Sequence, residues 1–127
     1  MPTSVLLSVK PQFAEAILDG SKKYEFRRAL FRSPTVERVV LYASSPIQKV
    51  VGEFRLAEVL SMRPTALWSA TSSGAGIGRS YFNRYFAGRK EGHALRVAEP
   101  RRYAKPRDLT RDYGIGRPPQ SFCYLVD

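Results

Sequence analysis

Gly20-Ser21-Lys22-Lys23-Tyr24-Glu25-Phe26-Arg27 reads as a turn running straight into an alternating strand. Residues two apart on a strand share a face. Lys23, Glu25 and Arg27 therefore point one way, while Tyr24 and Phe26 point the other way, toward the core. Lys22 stands at the mouth of the strand, able to lean in toward the carboxylate and the guanidinium. A Lys, a Glu and an Arg converging on one spot suit a polar, anionic ligand, because uncompensated charge is costly to enclose in a small protein.

The segments on either side supply the rest of the fold. Val5 to Val9 is a short apolar run, read as a strand. Pro11 opens a helix at its favoured first position. Phe13, Ala14, Ile17 and Leu18 form its buried stripe, and Gly20 ends it as a left-handed cap. The charged strand runs on to about Leu30. Val36 to Ala43 is a strong strand, Ser44-Ser45-Pro46 a turn, and Ile47 to Leu60 a longer strand. Gly52 within it marks a bulge or a close backbone approach. Tight turns between alternating strands imply antiparallel pairing.

The second half is more varied. Pro64-Thr65-Ala66-Leu67-Trp68 begins a helix, and Ser72 to Gly78 is a loop. Ser80 to Phe86 carries Tyr81, Phe82, Tyr85 and Phe86 at helical spacing and ends at Gly88. Gly92 to Val97 returns to strand. Pro100 to Gly116 is polar and basic, with Leu109 as its main apolar anchor. Ser121 to Val126 closes the chain as a strand. No repeat, low-complexity tract or linker divides it. The expected fold class is α+β: one domain over residues 1–127, a small mostly antiparallel β-barrel with flanking helices.

The charge balance narrows the function. Lys and Arg number 21 against 11 Asp and Glu, a net charge of +10 with a pI near 10.2. That is the footprint of a polyanion binder, and nucleic acid is the commonest polyanion. The apolar content of 43% is that of a globular chain. Cys123 is the only cysteine, so no internal disulfide forms; its alternating apolar setting makes it a small buried hydrophobe. A cytoplasmic location follows. No run is long enough to span a bilayer, and the start of the chain lacks the basic end of a signal peptide. His93 is the only histidine and has no partner of metal-ligand type, so neither a metal site nor a cofactor is expected.

Gly20, Lys22, Glu25 and Arg27 match G-x-K-x-x-E-x-R at every fixed position, and the motif resembles the signature of ASCH domains, β-barrels of the PUA-like superfamily. The resemblance extends along the chain. Leu7-Ser8-Val9-Lys10-Pro11 resembles the opening of one ASCH subgroup, whose members are often labelled transcriptional regulators. Tyr42-Ala43-Ser44-Ser45-Pro46 and Val51-Gly52-Glu53-Phe54 resemble its central strands, and Pro118-Pro119-Gln120-Ser121-Phe122 its closing segment. The resemblance implies RNA or nucleotide recognition in a cleft lined by the motif. Similar domains have been assigned RNA binding, coactivator roles, ribonuclease activity and, in one branch, acetylcytidine amidohydrolase activity. That branch uses a Lys, a Thr and a Glu. Its Lys aligns with Lys22, but its Thr falls on Glu25, and a carboxylate cannot serve as a hydroxyl nucleophile.

Three roles are open to Lys22, Glu25 and Arg27. They form a structural ion network; or Lys22 and Arg27 bind a phosphate or base edge while Glu25 accepts from a base amino group; or, in an enzyme, Glu25 is a general base and Lys22 stabilises developing negative charge. Lys10 precedes a helix N-terminus, where backbone amides favour anions, and with Ser8 is expected to line the same cleft. Ser44 and Ser45 at a strand end, and Gln120 and Ser121 at the start of the last strand, are further candidates for its mouth. Gly74-Ala75-Gly76-Ile77-Gly78 lacks the strand and Lys-Ser/Thr of a phosphate loop and reads as a flexible connector, able to fold over a ligand as a lid.

From Arg79 to Arg117 eleven cationic side chains face four acidic ones, which is most of the net charge. Arg79, Arg84, Arg89, Lys90, Arg101, Arg102, Lys105 and Arg107 are candidate backbone contacts. Tyr81, Tyr85 and Tyr103 are interleaved, a combination that suits backbone tracking with base stacking. RNA or a nucleotide is the expected partner. DNA is the alternative, although the two middle helices are joined by a long Gly/Ser loop rather than the short turn of a helix-turn-helix.

Overall fold

The computed structural model describes residues 2–126. Its strands are β1 (Ser4–Val9), β2 (Tyr24–Arg27), β3 (Arg38–Ala43), β4 (Lys49–Met62), β5 (Gly92–Arg107) and β6 (Phe122–Tyr124). Its helices are α1 (Pro11–Leu18), α2 (Pro64–Thr71), α3 (Arg79–Tyr85) and α4 (Leu109–Tyr113). The strands form one sheet in the order β2-β5-β4-β3-β1-β6. It curls into a half-barrel, so β2 and β6 are its two edges. Every pairing is antiparallel except β1 with β3. The expected α+β fold with flanking helices is the one observed.

The curl is written into β4 and β5. Their ladder shifts register three times, and the β3–β4 ladder once more. Each irregularity bends the strand and sharpens its twist. Gly52 lies at one of them, and a Cβ there would sit 2.6 Å from the Arg101 carbonyl oxygen and 2.7 Å from Leu18 Cδ2. The glycine lets β5 and α1 close onto β4.

β1 is buried on both faces, which accounts for its unbroken apolar run. Val5, Leu7 and Val9 join Ile17 of α1, Leu41, Phe54 and Leu95 in the main core. Leu6 joins Val40, Tyr42, Val50, Tyr103 and Leu109 in a second cluster, covered by α4. A third cluster packs Phe26 of β2 against Leu67, Ala75, Phe82 and Phe86. Cys123 is half-buried beside the second cluster, and burial pushes its thiol pKa up. No helix among the described residues is long and apolar enough to cross a membrane.

Three expectations need correction. The charged strand ends at Arg27 rather than near Leu30. The strand that begins at Gly92 does not end at Val97: β5 continues to Arg107, and α4 follows, capped by Asp108 and ended by left-handed Gly114. Prolines at 100 and 106 masked it, although a strand of this length accommodates them at its bulges and ends. The Gly74–Gly78 segment is not a free connector either. Gly74 and Ala75 are buried, and the Gly74 carbonyl accepts from the Lys23 amide at 2.8 Å.

Candidate nucleotide-binding cavity

β2 brings its charged residues to the floor of a cavity of about 200 Å³. Glu25 and Phe26 are both buried, so neither face of β2 is open to solvent. α2 and α3 cover the Phe26 side, while Glu25 and Arg27, on the opposite face as the alternation predicts, line a partly enclosed hollow. Lys23, which shares their face on paper, is exposed at the strand's start.

Lys22 is 1% exposed, the most deeply buried charged residue described. Its Nζ donates to the Ala75 carbonyl at 2.7 Å and lies 5.1 Å and 4.9 Å from the ring centroids of Phe13 and Phe26. Burial pulls its pKa below the usual 10.5, and the charge of Glu25 acts in the opposite sense. The glycine-rich segment is packed over this side chain. A Cβ at Gly76 would lie 2.6 Å from Lys22 Cγ, and its φ of +67° suits glycine. The segment is thus a fixed wall on Lys22, not a mobile lid.

Arg27 is the hub of the floor. Its Nη1 donates to Glu25 Oε2 at 3.2 Å and to the Ser8 carbonyl at 3.3 Å. Its Nη2 donates to Ser121 Oγ at 2.7 Å and to the Ser121 carbonyl at 3.1 Å. One guanidinium therefore ties the β2 edge to β1 and to the residue that opens β6. Ser8 lines the cavity, and its Oγ donates to the Pro119 carbonyl at 2.6 Å.

α1 and α3 supply the other walls. Phe13 stands edge-on to Tyr81 at 5.5 Å, and the Tyr81 and Tyr85 rings lie nearly parallel, 15° apart, with centroids at 6.5 Å. Their spacing of four places both on one helix face. Lys10 Nζ sits 5.5 Å from the Tyr81 centroid and the Arg28 guanidinium 4.6 Å from that of Tyr85. Both cations are exposed and line the cavity. It therefore has a charged floor, an aromatic wall and a cationic rim.

The structure places Ser8, Lys10, Lys22, Glu25 and Arg27 around this one space. Ser121 reaches it only through Arg27. Ser44, Ser45 and Gln120 do not line it; the Ser44 amide instead donates to the Val9 carbonyl, as turn residues do. Arg28, Phe13 and Ile77 line it without having been anticipated. The repeat of Tyr81 and Tyr85 on one helical face was the available signal for the wall, and nothing in the sequence singled out Arg28.

The expected backbone cations fall into two groups. Arg79 and Arg84 are exposed on α3, with Arg89 and Lys90 in the turn beyond it. The others lie along β5, where Arg102 holds both carboxylate oxygens of Glu15 at 2.9 and 2.7 Å and Arg101 meets Glu53 at 3.1 Å. Tyr103 is buried, its hydroxyl donating to Glu53, so it is not a stacking surface in the cavity. His93 bonds Ser61 through Nδ1 at 2.7 Å. No group of three metal-ligating side chains occurs among the described residues.

The ASCH domain model matches residues 7–107, and the chain belongs to the ASCH domain family. It is 30% identical over 122 residues to an ASCH domain-containing ribonuclease of Zymomonas mobilis, covering 94% of this chain and 82% of that one. It is also 33% identical to part of an ATP synthase subunit alpha, and 30% identical to part of a large ribosomal subunit protein uL22, both of Ureaplasma parvum. The chain spans 15% and 39% of the length of those two relatives. The crystal structure of ASCH from Zymomonas mobilis superposes with a TM-score of 0.90 at 27% identity, over 98% of this chain and 89% of that one. The N-terminal domain of Staphylothermus marinus McrB shares the fold, with a TM-score of 0.52 at 14% identity over 91% and 81% of the two chains.

Proposed function

We propose that this chain binds single-stranded RNA and seats one base or nucleotide in the cavity between β2, α1 and α3. The observation that carries the reading is the buried Lys22 and Glu25 with half-buried Arg27 beside an aromatic wall, beneath a rim of exposed cations. Bases present a polar edge and an apolar face, and this space offers a partner to each. Lys22 donates toward acceptor atoms, Glu25 accepts from an exocyclic amino group, and Tyr81 and Tyr85 offer ring faces. Lys10, Arg28 and Arg84 sit where the attached phosphates would run. Only an unpaired or extruded nucleotide exposes its base in this way, which favours single strands over duplex. The ribonuclease relative at 30% identity supports RNA as the polymer.

That relative also favours a second reading, in which the same cavity cleaves RNA. Glu25 would then accept the proton of the attacking 2′-hydroxyl as its oxygen bonds to phosphorus, Lys22 would stabilise the negative charge that develops, and the P–O bond to the 5′-oxygen would break, that oxygen leaving with a proton from solvent. Glu25 Oε2 already accepts a hydrogen bond from Arg27 Nη1 at 3.2 Å, which fixes the carboxylate in place as an acceptor for a bound base. Binding is for that reason the primary reading. Competition between single-stranded RNA and duplex DNA of equal length, at fixed salt, tests it. RNA should win, and its affinity should fall steeply with added salt. Preference for duplex DNA would point to a regulator instead, and a salt-independent affinity to a small ligand.

A further inference from the structure

A second cationic groove lies at the far end of β5. Resting on the RNA-binding reading above, we propose that it is a separate phosphodiester-binding site, which holds the backbone of the strand whose base occupies the cavity. The groove encloses about 600 Å³, and Arg101, Lys105, Arg107 and Arg111 line it against one acidic residue, Asp112. Its floor is rigid. The Arg107 guanidinium lies 3.7 Å from the Tyr103 ring centroid, and its Nη1 donates to the Tyr113 hydroxyl at 3.1 Å. Tyr103 is anchored in turn by its bond to Glu53 at 2.9 Å. Arg107 is thus oriented by neutral and aromatic partners and is in no ion pair among the described residues, so its charge stays available to a phosphate. Lys105 is exposed beside it. By contrast, Arg102 is occupied by Glu15, Arg101 is engaged by Glu53, and Arg111 is paired with Asp112.

Spacing says which polymer fits. Arg27 pairs with His93 on β5, so the cavity lies at the start of that strand. Arg101 is eight residues further on, no more than about 26 Å of backbone at ~3.3 Å per residue. A single strand of the length that one small barrel holds, ~4–16 nucleotides, covers such a distance. A mononucleotide or an inorganic phosphate does not.

The test compares an RNA trinucleotide with a single-stranded RNA of about 12 nucleotides, on wild type and on Lys105→Gln/Arg107→Gln. Both substituted residues lie outside the cavity. The trinucleotide should bind both proteins equally, which also shows that the variant is folded. The longer RNA should bind wild type more tightly than the trinucleotide does, and the variant should lose that gain. Its plot of log K against log salt should flatten by about 1.4, the loss of two contacts at ~0.7 each on a single strand. A longer RNA that binds both proteins alike, with one salt slope, overturns the groove and leaves the cavity standing. A trinucleotide that fails to bind wild type overturns the cavity reading, while loss of long-RNA affinity in the variant would still support the groove. A wild type that binds neither RNA overturns both.

Discussion

Arg27 donates to Ser121 across the open seam of the half-barrel, at 2.7 Å to the hydroxyl and 3.1 Å to the carbonyl. These residues belong to the two edges of the sheet, which no backbone ladder joins. The same guanidinium also holds Glu25 and the Ser8 carbonyl. The residue that most resembles a ligand-binding arginine in sequence is therefore first a clasp, and it fixes the carboxylate that the cavity presents.

Arg27→Ala should be strongly destabilising, because it leaves Glu25 buried without its partner. Breaking such a pair costs about 3–5 kcal/mol. Ser121→Ala removes one hydrogen bond and should cost about 1 kcal/mol. Urea denaturation reads both. An Arg27→Ala midpoint equal to that of wild type would show that the seam needs no clasp.

Glu25→Gln keeps the shape of the side chain and removes its charge. If the cavity only recognises RNA, the variant should lose affinity, and wild type should show no cleavage of a labelled oligonucleotide. Turnover by wild type that disappears in Glu25→Gln while binding persists would move the account to the ribonuclease reading.

Gly76→Ala should destabilise the wall over Lys22 by about 1–3 kcal/mol, the cost of a left-handed non-glycine residue, with the clash against Lys22 Cγ added. Gly116→Ala, where a Cβ meets nothing within 4 Å, is the control and should stay within about 0.5 kcal/mol. Equal behaviour of the two variants would mean that the glycine-rich segment does not pack on Lys22.

Lys22 gives the fold a pH signature. Its folded pKa lies below the usual 10.5, so between those two values the unfolded chain binds more protons than the folded one. In that window the Lys22 contribution makes stability rise with pH. Tyr103 opposes it at the alkaline end, since burial and its bond to Glu53 hold its proton on, and that contribution falls as pH climbs past its ordinary 10.0. The difference between wild type and Lys22→Met isolates the lysine. Relative to the variant, wild type should gain stability as pH rises toward 10.5. A difference that does not change with pH would place Lys22 in solvent.

Much of this was legible in the sequence, for identifiable reasons. Pro11 and Gly20 bracket α1 as expected, because a proline start and a left-handed glycine stop are local effects. Gly52 marks a close approach because only a missing Cβ permits it. β5 was read too short because proline and dense positive charge argue against strand locally, whereas its pairing with β4 is a tertiary effect. The cavity was half visible. Alternation put Glu25 and Arg27 on one face, but the wall comes from α3, far along the chain, and no local pattern shows which face of that helix meets β2. The burial of Lys22 was invisible for the same reason, since the segment that covers it reads as a loop.

The most direct test of the central claim is a crystal of the protein soaked with an RNA trinucleotide. The account predicts density for one base against Tyr81 and Tyr85, its polar edge within hydrogen-bonding distance of Lys22 Nζ or Glu25, with phosphate near Lys10 or Arg28. Ordered nucleotide elsewhere on the surface, with this cavity holding only water, would contradict it.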